Sequence, residues 1–188
     1  MLPVKVRHEG PCLHVQAPGI DLAIALGQGG SHTVSHDDPL MLDDLADALE
    51  HHGLVIPPHG GLLSGMSVGA NLALALSDGK HAATAAQDAA LQEVLLVAGM
   101  PLEKMARMHR CMPSDLNSLE LWTVAWAIAM LRAPQLLVLD QPMAHLNQAQ
   151  QRAVLAMVAL YQRKHPTCPV LWLLLSPSLA PSLSLEEA

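Results

Sequence analysis

The chain has no phenylalanine and only one tyrosine and three tryptophans, so aromatics make up 2% of its 188 residues. Any core must therefore be aliphatic, built from Leu, Ala, Val and Met. Charge is scarce as well: 14% of residues carry it, and ten Lys and Arg stand against seventeen Asp and Glu, a net charge of -7. Nucleic acid is excluded as a partner, because phosphate contacts need clustered cations. With hydrophobic residues at 51%, so few charges leave apolar surface for a protein partner to cover. Cys12, Cys111 and Cys168 form no C-x-x-C pair, and their odd number fits a reducing compartment. No run reaches the ~20 apolar residues of a membrane span, and Met1 to Val15 holds no apolar stretch of signal-peptide length. A cytosolic chain of one domain is expected.

What is present reads as alternating strand and helix. Strand-like pieces lie around Pro3–Arg7 and Leu13–Gln16, and a third, Asp21 to Leu26, runs into Gly27-Gln28-Gly29-Gly30-Ser31. A strand followed by a glycine-rich turn is where an α/β protein places a phosphate loop. Leu42, Leu45 and Leu49 share one face of a helix over Asp43–His52, and Gly53–Ile56 is a short strand stopped by Pro57-Pro58. From Gly60 to Ala133 the character is helical, with helices near Asn71–Leu76, His81–Ala98, Pro101–Met108 and a long apolar one, capped by Asp115, that ends near Arg132. Strand Gln135–Leu139, helix Gln148–Lys164 and strand Pro169–Leu175 then restore the α/β pattern. The Ser- and Pro-rich tail after Ser176 is expected to fray.

Three stretches carry a resemblance. Gly60-Gly61-Leu62-Leu63-Ser64-Gly65-Met66-Ser67-Val68 followed by Asn71, Met112-Pro113-Ser114-Asp115-Leu116, and the ungapped continuation through Pro134 to Asp140 and Pro142 occur in order. In this the chain resembles the nucleotide-binding subunits of ABC transporters, most closely the ATPases of MCE/Mla-type phospholipid transporters, whose corresponding segments read roughly "ALF-x-x-M-x-V-x-x-N" and "MPSELSGG". The matches run from Gly60 to Leu175, and the N-terminal third fits loosely. The resemblance implies a P-loop-NTPase-like α/β core, residues 1–58 and 133–188, with an inserted helical subdomain, residues 59–132, and a shortened N-terminal β region. The antiparallel lobe that stacks adenine is expected to be missing, and no aromatic precedes Trp122 to supply the stacking.

Carried over position by position, the resemblance implies a site whose working groups are replaced. A phosphate loop G-x-x-x-x-G-K-[ST] needs its lysine for the β/γ oxygens and its hydroxyl for Mg²⁺. Its place falls on Gly27 to Val34, which keeps Gly27 first and has Gly30 inside the loop, but puts His32 at the second glycine, Thr33 at the lysine and Val34 at the hydroxyl. The Q-loop glutamine falls on Pro58 or Pro57. The signature "LSGGQ" becomes Leu116-Asn117-Ser118-Leu119-Glu120, without the glycines that let backbone approach a phosphate. The catalytic glutamate is Gln141, an amide that is a very poor base, the D-loop aspartate is Asn147, and the switch histidine is Pro177. Asp140, at the Walker B position, alone keeps its identity, and without phosphates it would hold Mg²⁺ weakly.

These residues imply a catalytically inactive ABC-ATPase-like subunit with a structural or regulatory role. Its partners would be an ABC-type permease subunit, itself or another ATPase subunit, at the cytoplasmic face of a bacterial inner membrane, with no cofactor bound. A permease helix would lie between Gly60–Ala75 and Pro101–Met112, which are rich in methionine (Met66, Met100, Met105, Met108, Met112). One alternative is a weak ATP- and Mg²⁺-dependent ATPase that drives lipid transport. Another is a ligand- or metal-binding module on the same scaffold. For the latter, His32 and His36 with Asp37 and Asp38, or His51, His52 and His59, are candidate ligands, though neither spacing matches a zinc motif. Ser31 or Ser35 beside a histidine lacks the G-x-S-x-G elbow of a hydrolase. Trp122 and Trp126, one helical turn apart, are expected to anchor a core or an interface.

Overall fold

The computed structural model describes residues 4–76, 83–144 and 146–176. It opens with an antiparallel meander, β1 (Lys5–Glu9), β2 (Cys12–Ala17) and β3 (Ile20–Ala25), paired in that order. Two-residue links join the strands. At the second, Pro18 presets its own φ and Gly19 takes a φ of 74°, a combination that closes a tight turn. This sheet corrects the expectation that an antiparallel lobe is missing: alternation of Leu13, Val15 and Ile24 with polar neighbours gives it a buried face.

The second sheet is parallel, ordered β4 (Ser31–His36), β7 (Val170–Leu175), β6 (Leu137–Asp140), β5 (Leu54–Ile56). Successive side chains point to opposite faces of a strand, and the two faces enter different cores. Val34, Val138, Leu171 and Leu173 meet α1 (Pro39–Leu49) and the antiparallel sheet through Leu42, Leu45 and Leu49. Leu137, Leu139 and Val170 meet the helical side. There α3 (Ala83–Val97), α5 (Ser118–Arg132) and α6 (Gln148–Lys164) pack with α2 (Val68–Leu74) and α4 (Lys104–Arg110).

Trp122 and Trp126 of α5 are almost fully buried, and Trp126 lies 5.6 Å from Tyr161 of α6, ring centre to ring centre. Both tryptophans are thus core residues. The α5 helix is capped by Asn117, not by Asp115: Asp115 closes a short 3₁₀ turn over Pro113–Asp115 by accepting from the Met112 N–H, and two further residues intervene before the helix begins. At its other end Ala133 adopts a φ of 43°, and Pro134 prevents continuation.

Candidate functional site

In open parallel sheets, ligands bind outside the carboxyl ends of the strands, and a phosphate loop joins a strand's carboxyl end to the next helix. The expected loop at Gly27–Val34 does not have that placement. Gly27 and Gly30 lead into the amino end of β4, and Thr33 and Val34 lie inside the strand. The Gly29 N–H donates to the Thr167 carbonyl at 2.9 Å, and the Gly30 carbonyl accepts from Val170, so this turn is committed to the lower end of the sheet. A Cβ on Gly29 would strike the Pro166 carbonyl, which explains the glycine without any ligand. Hairpin and strand-entry turns need positive φ as much as phosphate cradles do, so a run of glycines after a strand does not tell the two apart.

The strand-to-helix junction in the required position is His36-Asp37-Asp38-Pro39. Only Asp37 and Asp38 separate β4 from α1, too short a link for G-x-x-x-x-G-K-[ST]. Asp38 is the N-cap, and its carboxylate accepts from the Leu40 N–H at 3.0 Å. Its own N–H donates to His36 Nδ1 at 3.0 Å, and Asp37 lies 3.5 Å from the same nitrogen. The first helical turn thus has a carboxylate of its own where a phosphate would sit, and α1 contains no Lys or Arg.

Asp140 ends β6 and is 5% exposed. Burial is the main influence raising its carboxyl above the ordinary aspartate range; Asp43 and Asp47 of α1 add to this, while the Gln141 amide and His59 oppose it. Gln141 Nε2 reaches Asp140 Oδ1 at 3.5 Å, the long limit of a hydrogen bond. Gln141 has a φ of 45° and donates its backbone N–H to Leu173. After β5, Pro57-Pro58 enter a turn closed by the Gly60 N–H on the Pro57 carbonyl, with no side-chain amide on either proline. Asn147 caps α6 through a reciprocal box with Gln150. Pro177 lies outside the described residues.

The signature segment begins α5. Asn117 Oδ1 accepts from the Glu120 N–H at 3.0 Å, and Glu120 Oε2 accepts from the Asn117 N–H at 3.1 Å, a capping box. Glu120, 2% exposed, also meets Lys104 at 3.2 Å and Arg107 at 3.9 Å. Ser118 is exposed, and Leu119 packs partly into the helical core. The sequence marks the residues of this segment but gives no sign of the Lys104–Glu120 pair, which joins residues sixteen positions apart on two helices.

A pocket of about 310 Å³ opens beside β5. Leu63, Asn71 and Leu74 form one wall, and Ala125, Ile128 and Arg132 of α5 the other. Gly60–Ala75, expected as one wall of a groove, lines this pocket, whereas no residue of Pro101–Met112 does and α5 stands opposite. Met100 and Met108 are buried in the core. Asn71 holds the first wall in shape: its Oδ1 accepts from the Leu63 N–H, and the two hydrogens of its Nδ2 are shared among the carbonyls of Leu63, Met66 and Ser67.

The histidines do not gather as a zinc site. His32 and His36 are four residues apart on one strand, a separation of about 13 Å at strand rise. Among the described residues no three His, Cys, Asp or Glu side chains converge on a point. No described helix is long and apolar enough to cross a membrane.

No family model matches the sequence, and no curated protein matches it significantly. Solved structures do. The dimeric MJ0796, a bacterial ABC transporter cassette, is 16% identical, with 90% of this chain and 85% of that one aligned at a TM-score of 0.57. The same cassette in a post-hydrolysis state bound to ADP and Pi aligns over 91% and 85% at 0.56, again at 16% identity. An ATP-binding subunit of an ABC transporter aligns over 82% and 71% at 0.54, also at 16% identity. The chain has the α/β fold of ABC ATPase cassettes, with a parallel sheet and an added helical side.

Proposed function

Starting from the fold of an ABC ATPase cassette, we propose that this chain is a subunit that no longer binds or hydrolyses ATP and acts as a structural or regulatory component of a transporter of the MCE/Mla lipid type. The observation that carries the reading is the β4–α1 junction. Where a cassette needs a glycine-rich loop and a lysine, two aspartates make the link and one of them caps the helix. Losing several charge-assisted contacts at about 1.5–3 kcal/mol each moves even a micromolar site beyond millimolar. Asn117 and Glu120 likewise close the start of α5, where a second subunit's nucleotide would have to bind.

The partner in this reading is a permease at the cytoplasmic face of the inner membrane, one of whose helices fills the pocket beside β5. Its exposed Leu63 and Leu74 are apolar anchors of the kind that receive a helix. A weak ATPase remains as a second reading on the strength of Asp140, which stands buried at the end of β6. Calorimetry with Mg-ATP decides between them: no saturable binding is expected, and a Kd below about 1 mM overturns the proposal. Gln141→Glu is expected to leave hydrolysis undetectable, because a base helps only when phosphates are already held in line. Leu74→Asp is expected to abolish co-purification with a membrane subunit while leaving the thermal midpoint unchanged.

A further inference from the structure

The antiparallel sheet and the end of α1 meet at a pair of histidines that the cassette reading does not use. His8 lies on β1, and His52 lies in the turn between α1 and β5, forty-four residues further on. His8 Nε2 and His52 Nδ1 are 3.1 Å apart, and the ring centres are 5.0 Å apart with the planes tilted by 56°. Two neutral imidazoles can share one N–H···N bond across this gap, but the arrangement also has the dimensions of a chelate.

Metal–imidazole bonds of about 2.0–2.1 Å that close on nitrogens 3.1 Å apart subtend about 100°, between the square-planar and tetrahedral angles. With each ring centre about 1.2 Å behind its nitrogen, such a chelate puts the centres about 4.9 Å apart, whereas a straight N–H···N bond puts them about 5.5 Å apart. The observed 5.0 Å fits the chelate and equally an N–H···N bond bent at both nitrogens, so the 3.1 Å gap between the nitrogens, and not the ring separation, carries the chelate reading. We propose that His8 and His52 form a two-imidazole site for a borderline divalent transition ion, of the Zn²⁺, Ni²⁺ or Cu²⁺ class, that clamps the antiparallel sheet to the α1–β5 turn.

Water completes the coordination, since two protein ligands are fewer than a structural zinc site requires. The site is therefore one of modest affinity. His8 is exposed and His52 half-buried, which leaves an entry path. Burial, then His8, then His51 hold His52 below its ordinary pKa, favouring the neutral imidazole that binds a metal. Because the two ligands belong to separate elements, they are paired only in the folded chain, and an ion bound there stabilises the fold by mass action.

The test uses the full chain without a polyhistidine tag, titrated with Ni²⁺, Zn²⁺ and Cu²⁺ near neutral pH. One saturable site is expected, together with a rise in the thermal midpoint. His8→Asn and His52→Asn, which keep polarity and approximate size, should each weaken binding at least tenfold and remove the midpoint rise. His14→Asn and His59→Asn should leave both unchanged. Electron paramagnetic resonance of the Cu²⁺-loaded wild type should show coupling to two imidazole nitrogens, a readout that needs no variant to fold. A spectrum with fewer than two such nitrogens, binding unaltered in both His8→Asn and His52→Asn, or no saturable site below millimolar overturns the proposal.

Discussion

The two helices whose N-termini would face phosphate in a cassette, α1 and α5, are closed by side chains of this chain itself, yet they are held very differently. Asp38 caps α1 alone, in a two-residue link at the surface, through one bond to Leu40 N–H at 3.0 Å. Asn117 caps α5 within a reciprocal box, and Glu120, its other half, is 2% exposed and paired with Lys104. A helix start leaves N–H groups that need an acceptor. At both helices a side chain of this chain provides one, and the depth of that acceptor decides how much of the fold depends on it. Closure at α1 is a local matter; at α5 it is tied to α4 through the ion pairs of Glu120 with Lys104 and Arg107.

Replacing Glu120 tests that contrast most strongly. Glu120→Ala removes half of the capping box and the charged partner of Lys104, and should lower unfolding stability by about 2–3 kcal/mol. Lys104, itself partly exposed, can turn to water, so Lys104→Ala should cost less, and a double-mutant cycle should show coupling. Chemical denaturation measures all three variants. A loss of only a few tenths for Glu120→Ala would mean that the α5 start is no better anchored than that of α1. Asn117→Ala follows, at about 1 kcal/mol, the typical value of an N-cap. Asp38→Ala should cost about 0.5 kcal/mol, the low end of the same range, since its one bond is open to solvent.

The same contrast explains what the sequence disclosed. From Pro113 to Leu175 the order of elements could be read from residues because each boundary has a local chemical cause: Pro134 after α5, Asp140 at the end of an apolar run, Asn147 before α6. The N-terminal third has local causes too, Pro18-Gly19 between β2 and β3 and Asp38 before α1, but they do not say to which end of which sheet a turn belongs. Its glycine turn resembles a phosphate loop in composition and differs only in which end of a strand it adjoins, a property of the sheet that no local pattern carries. Asp37-Asp38, considered as metal ligands beside His32 and His36, instead form the link into α1: an acidic dipeptide before a proline is an ordinary helix start, and that is what the structure makes of it. The Lys104–Glu120 and His8–His52 pairs join residues sixteen and forty-four positions apart and were invisible for the same reason.

The smallest expected effect has the opposite sign and belongs to the α1 side. Asp140 is buried, and its carboxyl is raised above the ordinary value of 3.8, by burial first and by Asp43 and Asp47 next. An acid whose folded pKa exceeds its unfolded one binds more protons in the folded state between the two values. Stability therefore falls as pH rises through that window and stays lower above it. Asparagine cannot ionise, so Asp140→Asn should stabilise the chain at neutral pH and lose that advantage as pH drops below the ordinary aspartate range. Denaturant unfolding of wild type and variant at neutral and at acidic pH measures the difference. Destabilisation of the variant at neutral pH, undiminished in acid, would show that the carboxylate is well satisfied where it sits, and the cost of its burial beside α1 would have to be abandoned.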